Sequence, residues 1–513
     1  MKKNIYYEAC QFYSNSDNQA ASLQLKKNKG MKNIVSMAFL SCVMLTSCGN
    51  KWLETAQPST STESSEAIKS PSQASYAING IYDIMRGYEY YGARMTYYGD
   101  VTGEDMLANG DTKRAASYYL FEFNKDNTPS SLWYQPYRVI RNANSVLAYT
   151  NSVPASEMTD MLRDIKGQAL TMRAMAHFDL VKVFGTPYSV DQGASLGVPI
   201  ETEKHEFASK PSRNTVKEVF AQVIADLRAA DSLLSSAKND GKLNRFAAQQ
   251  LLARAYLYTG DDVKAFSTAT TLIKNAESAG SSKKGQYQLW KNEEYGTVWS
   301  KDFTSEILFQ LSVSKVENGP GKEGIGNLLW RSGYNDIILS DDYMNLLNAD
   351  PKDVRLQTIT KYTSKQVDYY YLNKYPGNAA ENENPEFADI PILRLSEAYL
   401  IAAEAAVKLG DNNSALHYLN AIVSRANPEQ TLSGAVNLDR VMEERRRELV
   451  GEGHRLFDAM RNNLRIERKG KAHVSPLLRP ETKSFDRTYF KTVMAIPRRE
   501  IDVNPNIVQN AGY

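Results

Sequence analysis

The sequence predicts a mostly helical protein, a helical-hairpin scaffold interrupted by long, irregular, aromatic-rich segments. Three observations carry that prediction. Met161 to Phe184 holds two apolar stripes at helical spacing. Two helix–turn–helix stretches echo each other around Gly260-Asp261 and Gly410-Asp411. Residues 85–125 and 280–390 lack that periodicity and are dense in Tyr, Trp, Gly, Asn and Asp.

The N-terminus reads as an address. Residues 1–30 carry Glu8 and Asp17 and no apolar run, so Met31 is the expected start. Lys32 then precedes Ile34 to Leu45, 12 residues without a charge. As a helix that run spans about 18 Å, short of the ~30 Å hydrocarbon core, and it reads as a secretory signal. It ends in Leu45-Thr46-Ser47-Cys48, which resembles a bacterial lipobox. The resemblance implies cleavage before Cys48 and acylation, palmitate included, of its thiol and amine. Several acyl chains, at about 0.8 kcal/mol per buried CH₂, anchor a protein firmly. Residues 1–47 form the signal region. Residues 48–75 form the lipidated cysteine and a tether, with Thr55 to Ser75 rich in Ser, Thr, Ala and Pro. No later segment reaches 18 uninterrupted apolar residues, the length of a membrane span.

The body divides into a helical part, 76–280, and a part with loop insertions, 281–513. Met161, Ile165, Ala169, Met172, Ala176, Leu180 and Val183 form one stripe of a helix. Leu162, Leu170, Ala174, Phe178 and Val181 form a second, which predicts burial on both sides. Thr215 and Glu218 have capping-box spacing, ahead of Val216, Phe220, Val223, Leu227, Ala230 and Leu234 on one face. Ala255-Tyr256-Leu257, Gly260-Asp261 and Ala265 are echoed by Ala398-Tyr399-Leu400, Gly410-Asp411 and Ala415. Hairpins with small residues at the crossing resemble tetratricopeptide-type units, here irregularly spaced. Ile307 to Val316 is a candidate strand.

Charge and cysteine content exclude several functions. The formal net charge of +2 falls to −2 once residues 1–47, with six lysines and two acids, are removed. Nucleic-acid binding has no electrostatic basis. Cys10, Cys42 and Cys48 are the three cysteines, so no disulfide framework or thiolate metal site exists beyond Cys48. The histidines, His177, His205, His417, His454 and His473, show no zinc-type spacing. No EF-hand pattern is present and no cofactor is expected.

Two catalytic-looking strings fail on context. Gly193-Ala194-Ser195-Leu196-Gly197 matches a nucleophile elbow but lacks the strand before it, and Pro199 follows. Gly319-Pro320-Gly321-Lys322-Glu323-Gly324 matches a dinucleotide fingerprint without the supporting unit, and reads as a flexible loop. Glu443 to Arg461 is the densest charge segment. It reads as a helix laced with ion pairs such as Glu443 with Arg447, each acid having arginines in reach to keep it ionised. Its carboxylates are the basis of the alternative reading, a lipid-anchored hydrolase.

The aromatic segments carry the binding hypothesis. Tyr88, Tyr90, Tyr91, Tyr97 and Tyr98 cluster before Asp100. Trp290, Tyr295, Trp299, Trp330 and Tyr334 cluster later, with Arg331 among them. Flat rings flanked by Asn, Asp and Arg suit pyranose faces and their hydroxyls. The candidate ligand residues are Trp290, Trp299, Trp330, Arg331, Tyr334, Tyr91, Tyr98 and Asp100.

From Cys48 to Tyr513 the chain resembles the SusD/RagB family of Bacteroidetes outer-membrane nutrient-binding lipoproteins. The resemblance rests on ordered blocks. They include Trp52-Leu53-Glu54, Ala77-Ile78-Asn79-Gly80-Ile81-Tyr82, Trp133 with Tyr137 and Asn142-Ala143-Asn144, and Ala169 to Pro187. Further blocks are Asp389 to Leu400, Glu444-Arg445 with Glu452-Gly453-His454-Arg455, and Ile496-Pro497 with Gln509-Asn510-Ala511-Gly512-Tyr513. The resemblance implies four tetratricopeptide-like hairpins with the ligand face in the irregular segments. It implies a cell-surface lipoprotein, not an enzyme, that captures a glycan for a SusC-like TonB-dependent barrel. A peptide or glycopeptide ligand is the alternative. The acids that often follow the lipid cysteine in this group are not matched by Gly49-Asn50-Lys51-Trp52-Leu53.

Overall fold

The structure is a computed structural model that describes residues 68–203, 209–238, 241–278, 287–316, 319–473 and 478–513. Cys48, the signal region and the tether to residue 67 lie outside the described residues, as does His205. Ser64–Tyr513 forms one unit, and its description follows.

The elements in chain order begin with α1 (Pro71–Arg86), α2 (Arg94–Val101), β1 (Met106–Ala108), α3 (Ser131–Ser152) and α4 (Asp160–Phe184). Next come α5 (Val216–Leu233), α6 (Arg245–Thr259), α7 (Asp262–Ser278), β2 (Ile307–Leu311) and β3 (Ile337–Leu339). They continue with α8 (Asp341–Leu347), β4 (Ile359–Ser364), β5 (Val367–Leu372), β6 (Ile390–Arg394), α9 (Leu395–Lys408) and α10 (Asn412–Ala426). The last long ones are α11 (Leu438–Leu449) and α12 (Arg455–Arg461). The helix at Pro71 begins inside the stretch expected to be tether. Ser70 accepts the Gln73 N–H as N-cap and Pro71 takes the first turn, where its missing N–H costs nothing.

The scaffold is a sequential stack. α3 packs on α4, α4 on α5, α5 on α6, α6 on α7, α7 on α9, and α9 on α10. The contact of α7 with α9 crosses the expected division near residue 280, so the two parts share one core. Both stripes of α4 are buried as predicted, except Met161, which is 53% exposed in the first turn. α5 carries the full capping box between Thr215 and Glu218.

The two echoed turns have the same geometry. Gly260 (φ 74°) and Gly410 (φ 75°) are both left-handed. The Gly260 and Asp261 N–H groups bond Leu257 and Tyr256 carbonyls, and those of Gly410 and Asp411 bond Val407 and Ala406. Asp261 and Asp411 then accept the N–H of Lys264 and of Ser414, starting the second helix. Ala265 and Ala415 are fully buried at the crossings.

β2 starts where expected, ends at Leu311 and pairs antiparallel with β6. A second antiparallel sheet has strand order β1-β3-β5-β4. Its β4–β5 hairpin turns at Lys365 and Gln366, both with positive φ, and projects from the body with mostly exposed side chains.

The charged segment is the ion-paired helix expected, set partly inside the protein. Glu443 and Arg447 do pair at i, i+4, but Glu444, Arg445 and Glu448 are buried. Arg394 reaches Glu306 (2.5 Å), Glu448 (3.0 Å) and Glu452 (2.7 Å), and Arg355 reaches Asp353 (2.6 Å) and Glu444 (2.7 Å). Lys374 pairs Glu452, Arg445 pairs Asp458, and Arg461 pairs Glu404 and Asp458. The segment is an internal clasp between α11, α12, β6 and α9, with Arg445, Arg455 and Arg461 buried.

Candidate functional site

Trp330 closes the one-turn helix Ile325–Leu329 and opens a tight loop to Asp336. Its carbonyl accepts the N–H of Gly333 (3.0 Å) and of Asn335 (3.2 Å). A Cβ on Gly333 would meet Asn327 Oδ1 at 2.3 Å, so the turn tolerates no side chain there. The result holds the Trp330 ring out at 42% exposure.

The loop is pinned by the segment after β1. Lys113 Nζ donates to the Tyr334 carbonyl at 2.7 Å, and Asn109 Nδ2 donates to Asn335 Oδ1 at 2.8 Å. The Arg114 N–H donates to Asp336 Oδ2 at 2.8 Å. Burial pushes the Asp336 carboxyl up, against the pull of that N–H and of the Arg114 and Lys113 charges. The Arg114 guanidinium lies 3.7 Å over the Tyr334 ring and pairs with Glu323 through two hydrogen bonds. Glu323 belongs to the glycine-rich string expected to be a free loop, and this fork ties it down.

The neighbouring hairpin completes the face. Arg331 lies 4.1 Å over the Tyr362 ring, itself 39% exposed on β4. On the other side Arg114 borders a cleft of about 380 Å³ lined by Tyr88, Arg94, Tyr97, Tyr118 and Glu323. Tyr97 and Tyr118 meet edge to face at 5.2 Å. Arg94 lies 5.3 Å from the Tyr88 ring centre and donates to Ser131. The face therefore offers two exposed rings, Trp330 and Tyr362, with one guanidinium over Tyr362, another over Tyr334, and a cleft alongside. Such a surface stacks planar ligands and fixes them by hydrogen bonds.

Of the candidate residues, Trp330, Arg331 and Tyr334 converge here. The others do not. Tyr91 stacks on Tyr90 at 4.4 Å, and both hydroxyls donate to Asp179. Tyr98 is fully buried, and Asp100 is 1% exposed. Asp100 accepts the Gly453 N–H at 2.7 Å, and burial pushes its carboxyl up to about 7. Trp290 is 2% exposed and forms its own cluster with Tyr295, Val298 and half-buried Trp299. The guanidinium of Arg394 lies 5.4 Å from Trp290 and 5.2 Å from Trp299. Arg425 faces Tyr295 at 4.7 Å, and Lys374 faces Trp299 at 5.0 Å. These rings wall in the buried charge clasp. Tyr98, Asp100 and Trp290 are thus structural, not ligand contacts. Missed by sequence reasoning were Arg114, Glu323 and Tyr362. The Tyr369-Tyr370-Tyr371 run beyond the hairpin turn was the available signal for Tyr362.

Other places fit ligand chemistry less well. A wider groove of about 590 Å³ lies at the scaffold turns beside Tyr188, Lys217, Phe220, Gly260 and Leu409, without a comparable convergence of rings and polar groups. Ser195 sits in a turn in which Asp191 accepts the N–H groups of Gly193 and Ser195, with no strand leading into it. Glu448, the hydrolase candidate, is fully buried. Burial alone would raise its carboxyl, but Arg425, Arg394 and Arg355 outweigh it and hold it well below the usual range. Among the described residues no group of three metal-ligating side chains occurs, and no helix is long and apolar enough to cross a membrane.

Known proteins share this architecture. Residues 330–513 match the SusD family model, and residues 51–257 match a second model described as starch-binding associating with outer membrane. A Bacteroides vulgatus protein of known structure is 44% identical, with TM-score 0.81, over 87% of this chain and 99% of its own. A SusD superfamily protein from Bacteroides thetaiotaomicron is 40% identical, with TM-score 0.80, over 86% and 100%. The chain belongs to the SusD superfamily. SusD-like protein P38 of Formosa agariphila is 23% identical over 95% of this chain and 100% of its own length.

The blocks that carry the SusD resemblance do structural work. Asp389 to Leu400 forms β6 and the start of α9. Glu452 and Arg455 are charge partners of Arg394 and Glu104, and Gly453 meets Gly99 so closely that a Cβ there would lie 2.2 Å from its carbonyl oxygen. At the C-terminus Gln509 bonds both the N–H and the carbonyl of Ile496, and Asn510 Nδ2 reaches the Phe184 and Met494 carbonyls. The SusD-type blocks are a set of clasps, and the Trp330 loop lies outside them, at the start of the matched C-terminal region.

Proposed function

We propose that this SusD-superfamily protein binds a glycan on the Trp330 face, without breaking a bond in it. The observation that carries the reading is Trp330 itself. It is a large ring left 42% exposed beside a glycine turn, on the loop that also carries Arg331 over Tyr362 and Tyr334 under Arg114. A ring exposed to this degree presents an apolar face that a sugar can cover. The starch-binding description of the family model matched by residues 51–257 supports a carbohydrate ligand. In this reading Cys48 carries the lipid, the protein sits on the outer membrane facing the cell surface, and the glycan passes to a SusC-like TonB-dependent barrel.

The ligand half of the proposal is tested by affinity electrophoresis and calorimetry against soluble polysaccharides. Trp330→Ala is expected to weaken binding about five- to a hundredfold while leaving the melting temperature within a few degrees, because burying one sugar face on a ring contributes about 1–3 kcal/mol. Equal affinity of the variant would remove the face from the proposal. The transport half is tested by pull-down of the tagged lipoprotein from solubilised outer membrane. A TonB-dependent barrel at near one-to-one is expected, and a clean preparation without one would contradict delivery.

A further inference from the structure

The cations around the Trp330 loop differ in one respect. Arg94 pairs with Glu89 at 3.3 Å, and Lys113 lies 3.8 Å from Asp336. Arg114 is forked on Glu323 and lies 3.8 Å from Asp336. Each is neutralised by a carboxylate of the chain. Arg331 is exposed, and its guanidinium has the Tyr362 ring beneath it but no carboxylate partner among the described residues. The amides that would read neutral hydroxyls are engaged within the chain, Asn109 donating to Asn335 and Asn327 donating to the Lys322 carbonyl. The Trp330 platform is therefore flanked by a positive group that the protein itself leaves uncompensated.

We infer that the preferred ligand is an anionic glycan, whose carboxylate or sulfate meets Arg331 while a sugar ring of the same chain stacks on Trp330. The inference rests on the glycan reading of this face and names its substrate class. Three pieces of chemistry carry it. A guanidinium binds carboxylate and sulfate through two parallel charge-assisted bonds, about twice as strong as neutral ones. The Tyr362 ring 4.1 Å from the guanidinium restricts its movement, so less side-chain entropy is lost on binding. The ring also shields one side of the cation from water, which strengthens its pull on an anion arriving at the other. Arg331 is in this account a specificity-determining residue, and Trp330 supplies affinity common to charged and neutral sugars.

The test uses the full chain and paired polysaccharides that differ in charge: polygalacturonate against its methyl ester, and carrageenan against agarose, with starch and laminarin as neutral references. Binding is read as retardation and as calorimetric affinity at low and at 0.5 M salt. At least tenfold preference for an anionic member over its neutral partner is expected, falling at high salt. Arg331→Gln should erase that preference, and Arg331→Lys should keep part of it. The galacturonate pair reports a carboxylate ligand and the carrageenan pair a sulfate. A neutral member bound as well as its anionic partner, or a preference unmoved by Arg331→Gln, overturns the inference. If that neutral binding is lost in Trp330→Ala, the glycan reading survives alone. Absence of binding to every member overturns both.

Discussion

A single side chain shows how burial decides role. Asp100 is flanked by tyrosines in the sequence, and it lies inside the protein, accepting the Gly453 N–H. Its carboxyl is pushed from 3.8 to about 7, mainly by burial. Ionising it in the folded state costs of the order of 4 kcal/mol. Because the folded pKa lies above the unfolded one, the folded protein holds the extra proton. The associated stability is complete below about pH 4 and is lost as pH rises through 7. Asp100→Asn keeps an acceptor for Gly453 and removes the titration. The melting-temperature advantage of Asp100→Asn over the parent should therefore grow between pH 4.5 and 7.5. A constant difference across that range would contradict the assignment. The same lesson applies to Trp290 and Trp299. Aromatic clustering in a sequence marks rings but not their neighbours, and here those neighbours are Arg394, Arg425 and Lys374, at least 75 residues downstream. Trp330, Arg331 and Tyr334 could be grouped from the sequence because they lie within five residues of one another, on what the structure shows to be one loop. Arg114 and Tyr362 reach that loop from distant segments, and no local pattern announces them.

Among the elements, hairpins were readable and the sheet was not. The Gly260 and Gly410 turns depend on a backbone state that local sequence specifies, and a Cβ at either position meets no atom within 4 Å. Gly260→Ala should accordingly cost about 1–2 kcal/mol through the left-handed φ alone, with Gly260→Asn costing less. Chemical denaturation measures both, and equal stability of parent and alanine variant would contradict the turn assignment. Gly99→Ala is a different case. Its new methyl would collide with the Gly453 backbone, so a loss of several kcal/mol or failure to fold is expected. The sheet β1-β3-β5-β4 escaped prediction because β1 and β3 have three residues each and pair across more than 200 residues of chain. Strands that short carry no periodicity of their own.

For the molecule as a whole, the scaffold and the proposed ligand face follow separate rules. The scaffold is held by a buried clasp that joins α11 and α12 to β6, α9 and the loop at Asp353, and the SusD-type blocks map onto it. Glu448 lies at its centre, contacting Arg355, Arg394 and Arg425. Glu448→Gln leaves buried arginines undercompensated and should destabilise by about 3–5 kcal/mol in denaturant titration, without changing the position of bound glycan. Steady release of reducing ends from a polysaccharide by the parent, abolished in this variant, would instead support the hydrolase alternative. The proposed face, by contrast, rests on a loop pinned by Asn109, Lys113 and Arg114. Its central claim, that a sugar ring sits on Trp330, is tested most directly by a crystal structure with an oligosaccharide of the best-bound polysaccharide. We predict a pyranose face on the Trp330 indole with a ligand oxygen at Arg331. A sugar bound in the Tyr188–Phe220 groove, with Trp330 uncovered, would contradict it.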